Sequence, residues 1–347
     1  MSAVPAVSPA AAPAAAMPAT GPALAMRRMG RALAGRARGL GAALIWTIAW
    51  TIPWALALPT APARAQDASP SAGSPATLSG TLREAAARGS LRLGYRESSL
   101  PFSFLDARRQ PVGYSIDLCL AVVAAAREAL GRDLAVEWRP VTPASRIPAL
   151  LGGLIDLECG STTSNAERER QVAFSPIIFV AGTRLMVPRG SPVRRFADLA
   201  GRNVVVTAGT TNAEALRSLA ERQRIPINLV AAPDHAQSFA RLVAGEVDAF
   251  ATDDVLLQGL LATSPEGDRF RVAGPLLSYE PYGLMFRRGD PTMADLVTRT
   301  FARLAASGEL GDIYDRWFTR RLPGGELLNL PMGPQLTELF RMLGAPD

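Results

Sequence analysis

The segment "DLECGSTTSNAERERQVAFS", Asp156 to Ser175, runs from an apolar strand pattern through a string of hydroxyls into a charged helical pattern that holds Arg168. Hydroxyls ahead of a helix satisfy its free N–H groups. They also hold anions, because a helix N-terminus carries partial positive charge. Other side chains of this chemistry recur at equivalent places. Arg96 follows the strand-like "LRLGY" and Arg146 follows "LAVEWRPV". Ser161, Thr162 and Thr163 precede Arg168, and Thr210 and Thr211 open a helix after "NVVVTAG". His235, the only histidine, follows "INLVAAPD", and Asp253 follows "VDAFAT". Arg offers a planar fork to a carboxylate, and Asp suits an ammonium. The set matches a ligand with two carboxylates and one ammonium, an acidic α-amino acid.

Each residue alone also has an ordinary structural reading. Arg168 in "NAERERQ" reads as a solvated helix charge, Ser161 to Thr163 as helix caps, and Arg96 and Arg146 as members of surface ion pairs. His235 and Asp253 also stand where helix caps stand. What joins them is a common topological place, the carboxyl ends of strands, where open α/β sheets bind ligands.

The elements that must position these side chains alternate along the chain. Strand-like "LRLGY", "LAVEWRPV", "IDLEC", "TRLMVP", "NVVVT", "INLVA", "VDAFAT" and "YGLMFR" are interleaved with helix-like runs such as "SIDLCLAVVAAAREAL" and "TNAEALRSLAERQ". This predicts an α/β fold with mostly parallel, helix-covered sheets. The pattern G-x-[IV]-D occurs twice, Gly153 to Asp156 and Gly245 to Asp248, each between a helix and a strand. The repeat points to two similar lobes facing one cleft, although glycine stops are common at such turns. "VAGTRLMVPRGSP" and "LSYEPYGLMFRRGDP" read as the two crossings between lobes. "GPQLTELFRML" reads as a terminal helix. The expected divisions are 80–182 with 284–347 for lobe 1 and 183–283 for lobe 2.

Charge excludes one function class. Of the 37 cations in the 347 residues, six Arg lie in residues 1–65, which carry no acid, leaving 31 cations against 31 acids. The folded part is therefore not a nucleic-acid binder by charge. Every side-chain cation other than a protonated His is Arg, since the chain has no Lys. Residues 1–65 read as an N-terminal extension and signal peptide: "MRRMGRALAGRARG", then "LGAALIWTIAWTIPWALAL", then a small-x-small site at Ala63–Ala65. Cleavage near Ala65 and export to the periplasm are expected, with a retained membrane anchor as the alternative. Residues 66–79 read as a flexible lead. Cys119 and Cys159 both lie in the exported part, where one disulfide or two buried thiols would serve.

The segments "YRESSLPFSFLD", "PVGYSIDLC", "RIPALLGGLIDLECGSTTSNAERERQVAFS", "VVVTAGTTNAEALR", "PDHAQSFARL" and "EPYGLMFR" resemble the solute-binding proteins, family 3, of polar amino-acid ABC transporters, and within them the glutamate/aspartate-binding branch. The resemblance covers Leu91 to Phe318. It implies the two-lobed type II periplasmic-binding-protein fold, two Rossmann-like lobes joined by two crossing strands and closing on the ligand like a hinged clamp. It implies that Arg168 clamps the α-carboxylate with Ser161, Thr163 and Thr211 beside it, and that Asp253 takes the α-ammonium. Arg96, Arg146 and His235 would face the side-chain carboxylate. The implied partners are L-glutamate or L-aspartate and the permease subunits of an ABC importer. The chain departs from the branch at Thr142-Pro143-Ala144-Ser145-Arg146, where a hydroxyl-rich run is usual. Pro143 brings neither an N–H nor a hydroxyl.

Rival readings use the same residues. A periplasmic dehydratase-like enzyme would need an acid or base in the cleft, for which Glu158, Glu97 and His235 are candidates. A neutral polar amino acid such as glutamine would fit the α-amino end equally well. A sensor module would need transmembrane or signalling segments after Phe318, and no such pattern reads there. One His and no close Cys pair argue against a metal site. A monomer without metal or cofactor, acting as a binder and not an enzyme, is expected.

Overall fold

The computed structural model describes residues 79–346. The expected signal peptide, its cleavage site and the lead up to residue 78 lie outside the described residues, as does the anchor alternative.

Two five-stranded sheets organise the chain. In the first, Ala135–Pro140, Ser90–Tyr95 and Leu157–Glu158 run parallel, followed by antiparallel Met285–Arg287 and then Val172–Phe174. In the second, Asn228–Ala232, Asn203–Thr207 and Ala249–Asp253 run parallel, followed by antiparallel Thr183–Pro188 and Phe270–Ala273. Both faces of the second sheet are covered. Leu185, Val187, Val204, Val206, Ala249 and Ala251 enter one core, while Met186, Val205 and Phe250 enter the other. Alternate residues of a strand point to opposite faces, so a strand buried on both sides reads as an unbroken apolar run. That is why "TRLMVP" and "NVVVT" carried so clear a signal.

Chain crossings are shorter than the sequence suggests. Phe179–Ala181 pairs antiparallel with Glu280–Tyr282. Thr183–Pro188 already belongs to the second sheet and Met285–Arg287 to the first. An aromatic cluster fixes this hinge pair to lobe 1. Phe102 meets Phe179 and Tyr282 at centroid distances of 5.1 and 5.0 Å, and Phe318 stacks on Tyr314 at 4.4 Å and on Phe179 at 5.0 Å. Tyr114 OH donates to Ile178 O at 2.9 Å. The helices Tyr114–Leu130, Pro291–Ala306 and Glu309–Phe318 pack together in the same core, and the terminal helix Pro334–Met342 adds Leu336 and Phe340.

The repeated aspartates have equivalent structural roles. Asp156 N donates to Arg92 O at 2.7 Å while its Oδ2 accepts from Arg92 N at 2.9 Å. Asp248 N donates to Asn203 O at 2.8 Å and its Oδ2 accepts from Asn203 N at 2.9 Å. Each ties the entry of one strand to the entry of its neighbour, at the ends away from the cleft. Gly153 and Gly245 precede them at φ +68° and +73°, a conformation that suits glycine.

Candidate functional site

The loop after Leu157–Glu158 is held from three sides. Cys159 is bonded to Cys119 of the helix Tyr114–Leu130. Ser115 Oγ donates to Gly160 O at 2.8 Å. Thr163 bridges to Tyr282 of the hinge, with Ser164 N donating to Pro281 O at 2.7 Å and Gly283 N to Thr162 O at 3.0 Å. The short helix Ala166–Glu169 that follows is capped by Asn165, whose Oδ1 accepts from Arg168 N at 2.9 Å. Capping therefore does not occupy Ser161, Thr162 or Thr163. Thr162 Oγ1 donates to Glu158 at 2.7 Å, and Thr163 Oγ1 donates to Glu280 at 2.8 Å.

Three guanidiniums enter the cleft from lobe 1. Arg168 is buried, with Nη1 donating to Thr163 O at 2.9 Å and Nη2 reaching Gly209 O of lobe 2 at 3.4 Å. Arg96 is 1% exposed and Arg146 2% exposed. Both Nη atoms of Arg96 and the Nε of Arg146 have no hydrogen-bond partner among the described residues. Arg146 Nη1 makes one long bond, 3.4 Å, to Ser161 O. Burial, reinforced by the charge of Arg146, lowers Arg96 to about 9 and Arg168 to about 10. Burial lowers Arg146 also. Leaving a buried cation without a partner costs about 3–5 kcal/mol, so these groups are poised for an anion. Glu158 offsets part of the charge; its Oε1 is unpaired among the described residues and lies beneath Gly160, where any Cβ would collide with it.

Lobe 2 supplies the other wall. The helix Thr211–Gln223 opens at the cleft behind its cap Thr210. His235 is buried at the start of His235–Val243, with Nδ1 2.9 Å from Thr207 Oγ1. Burial, and then the charges of Arg96 and Arg146, hold its imidazole well below the ordinary value. It is therefore a neutral hydrogen-bonding ring. Asp253 accepts from Asn212 Nδ2 at 2.7 Å and from Tyr282 OH. Burial, and then the charge of Glu280, push it up to about 7.

The structure thus brings Arg96, Arg146, Ser161, Thr163, Arg168, Thr211, His235 and Asp253 into one neighbourhood. A cavity of about 930 Å³, lined by Pro143, Gly209 and Glu280 among others, reaches Thr163, Arg168 and Thr211 of this set; Arg96, Arg146, Ser161, His235 and Asp253 lie off its lining. The divergent "TPASR" stretch forms a turn, with Thr142 N donating to Ser145 Oγ at 2.9 Å, and Ala144 packs on Gly209. Glu280, Asn212 and Tyr282 were not singled out in the sequence. Glu280 and Tyr282 lie within a crossing strand, and Asn212 one residue inside a helix, so a search of strand ends passes over them.

The family model of bacterial extracellular solute-binding proteins, family 3, matches residues 91–320. The chain belongs to this family. It is 41% identical over 288 residues to a glutamate/aspartate import solute-binding protein of Escherichia coli, covering 82% of this chain and 93% of that one. It is 42% identical over 266 residues to an L-glutamate/L-aspartate-binding protein of Pseudomonas aeruginosa, covering 76% and 88%. Among solved structures it is similar to an ancestral arginine-binding protein bound to glutamine, with a TM-score of 0.61 and 30% identity over 67% of this chain and 98% of that one. An ancestral amino acid-binding protein described as a precursor of cyclohexadienyl dehydratase matches with a TM-score of 0.59 and 29% identity, over 69% and 100%. The fold is that of the type II periplasmic amino-acid-binding proteins.

Proposed function

We propose that the protein is the substrate-capturing subunit of an ABC importer for an acidic amino acid, L-glutamate or L-aspartate. It acts in the periplasm, closing its lobes on the ligand and delivering it to permease subunits. The observation that carries this reading is the pair of buried guanidiniums, Arg96 and Arg146, with unpaired N–H groups beside the neutral His235. A side-chain carboxylate would satisfy those donors; a neutral amide would leave the second cation, beyond the one that Glu158 offsets, uncompensated. Arg168 takes the α-carboxylate together with the amides that open Thr211–Gln223. Asp253 takes the α-ammonium. The names of the E. coli and P. aeruginosa relatives support the same ligand class.

The test is calorimetric titration of protein unfolded and refolded to strip carried ligand. Glutamate and aspartate are expected to bind one to one, with glutamine and asparagine at least about a hundredfold weaker. Equal affinity for acids and amides would remove Arg96 and Arg146 from the selection of charge.

A further inference from the structure

The hinge contributes a charge of its own to the cleft. Glu280 opens the crossing strand Glu280–Tyr282, and its side chain is buried. Its Oε2 accepts from Thr163 Oγ1 of lobe 1 at 2.8 Å and from Thr211 Oγ1 of lobe 2 at 2.6 Å. Its Oε1 accepts from Ser278 Oγ at 2.5 Å. The chain of bonds continues. Ser278 Oγ lies 2.7 Å from Thr183 Oγ1, which accepts from Asn212 Nδ2 at 2.7 Å, and that amide also donates to Asp253 Oδ1 at 2.7 Å.

Proton counting gives this network a direction. A threonine hydroxyl carries one proton and two lone pairs, and a carboxylate only accepts. The single protons of Thr163 and Thr211 are both spent on Glu280. The 3.2 Å approach between the two hydroxyls therefore carries no proton, and what each has left for a ligand is a lone pair. The sequence reading made both hydroxyls donors to an α-carboxylate. Bonded as they are, they are acceptors, and an acceptor suits an ammonium.

We propose that Glu280 is a positioning residue that draws the protons of Thr163 and Thr211 onto itself, turning one hydroxyl from each lobe into an acceptor for the ligand's ammonium. The inference rests on the acidic amino-acid reading and deepens it. Selection for an amino group then belongs to the hinge as well as to Asp253, and both lobes must be drawn together for the pair of acceptors to exist. The α-carboxylate is left to Arg168 and the backbone amides of the Thr211 helix.

The experiment compares L-glutamate with glutarate, which keeps both carboxylates and lacks the ammonium. Both are titrated into wild type, Glu280→Gln and Thr211→Val. Glu280→Gln keeps a carbonyl acceptor of the same size and removes the charge. Glutamate affinity is expected to fall about tenfold while glutarate affinity holds or rises, so that the ratio of the two collapses by about that factor. Thr211→Val removes the lone pairs with little change of volume, and it should likewise weaken glutamate selectively. An equal loss for both ligands in either variant, the signature of a donor to the α-carboxylate or of a merely structural role, overturns the inference alone. So does an unchanged ratio. Wild type that binds neither glutamate nor aspartate overturns the inference together with the reading beneath it.

Discussion

The two ends of the cleft solve opposite problems with similar residues. At the distal end Arg96 and Arg146 are buried with guanidinium nitrogens unpaired among the described residues. At the hinge end Thr163, Thr211, Asn212, Asp253 and Glu280 satisfy one another through short bonds. The first region carries buried, unpaired cations, which the proposed side-chain carboxylate would relieve. The second spends its hydroxyl protons internally and ties lobe 1 to lobe 2 through Glu280. Unpaired buried donors therefore mark one end of the cleft, and a hydroxyl–carboxylate network marks the other.

The contrast can be broken most sharply at Arg168, which sits between the two ends. Arg168→Ala should weaken every amino acid by about a thousandfold, since it strands a buried carboxylate without its partner; titration with glutamate and glutamine reads this directly. Next comes the distal end. Arg146→Met should lower affinity for glutamate by about a hundredfold, yet raise the stability of the ligand-free protein by about 1–2 kcal/mol, because Arg96 and Glu158 are left as a balanced pair. A fall in the melting temperature of that variant would contradict the reading of the distal end as a strained site. At the hinge end the sign reverses. Thr163→Val should destabilise the ligand-free protein by about 1 kcal/mol by depriving Glu280 of a donor, as chemical denaturation would record.

Two smaller effects depend on pH. Asp253, pushed up to about 7 by burial and then Glu280, is partly protonated in the free protein at neutral pH. An arriving ammonium favours its ionised form, so binding should release protons, and affinity should rise with pH until about 7. Titrations in buffers of different ionisation enthalpy measure the release. For His235 the folded value lies well below 6.5. As pH falls through the unfolded value, the unfolded chain gains a proton that the buried ring refuses, and folding is weakened. Wild type should lose stability relative to His235→Gln between about pH 7 and about pH 5; parallel pH curves for the two proteins would exclude this.

Much of this was legible in the sequence where burial is two-sided. Apolar runs such as "NVVVT" and "TRLMVP" marked the strands, and the strand ends marked Arg96, Arg168, His235 and Asp253. Strands of two or three residues left no such trace. Ser98–Ser99, Ser103–Leu105 and Pro111–Val112 form a small sheet that no periodicity announces. The crossing pair is three residues on each side, and Glu280 within it resembles any solvated acid. The charge state of His235 was also hidden, because it depends first on burial and then on Arg96 and Arg146, distant in sequence. The G-x-[IV]-D repeat was visible, but the service of its aspartates at the far ends of the strands follows only from their bonds to Arg92 and Asn203.

Gly209 and Gly259 mark where the lobes touch. A Cβ on Gly209 would lie 2.6 Å from Ala144 Cα, and one on Gly259 would lie 2.8 Å from Leu100 O. At Gly209 the approach is to main chain alone, and at Gly259 it is to the Leu100 carbonyl and the Leu100 side chain alike. The two contacts set how closely lobe 1 and lobe 2 approach at these points, because neither glycine leaves room for a side chain of its own.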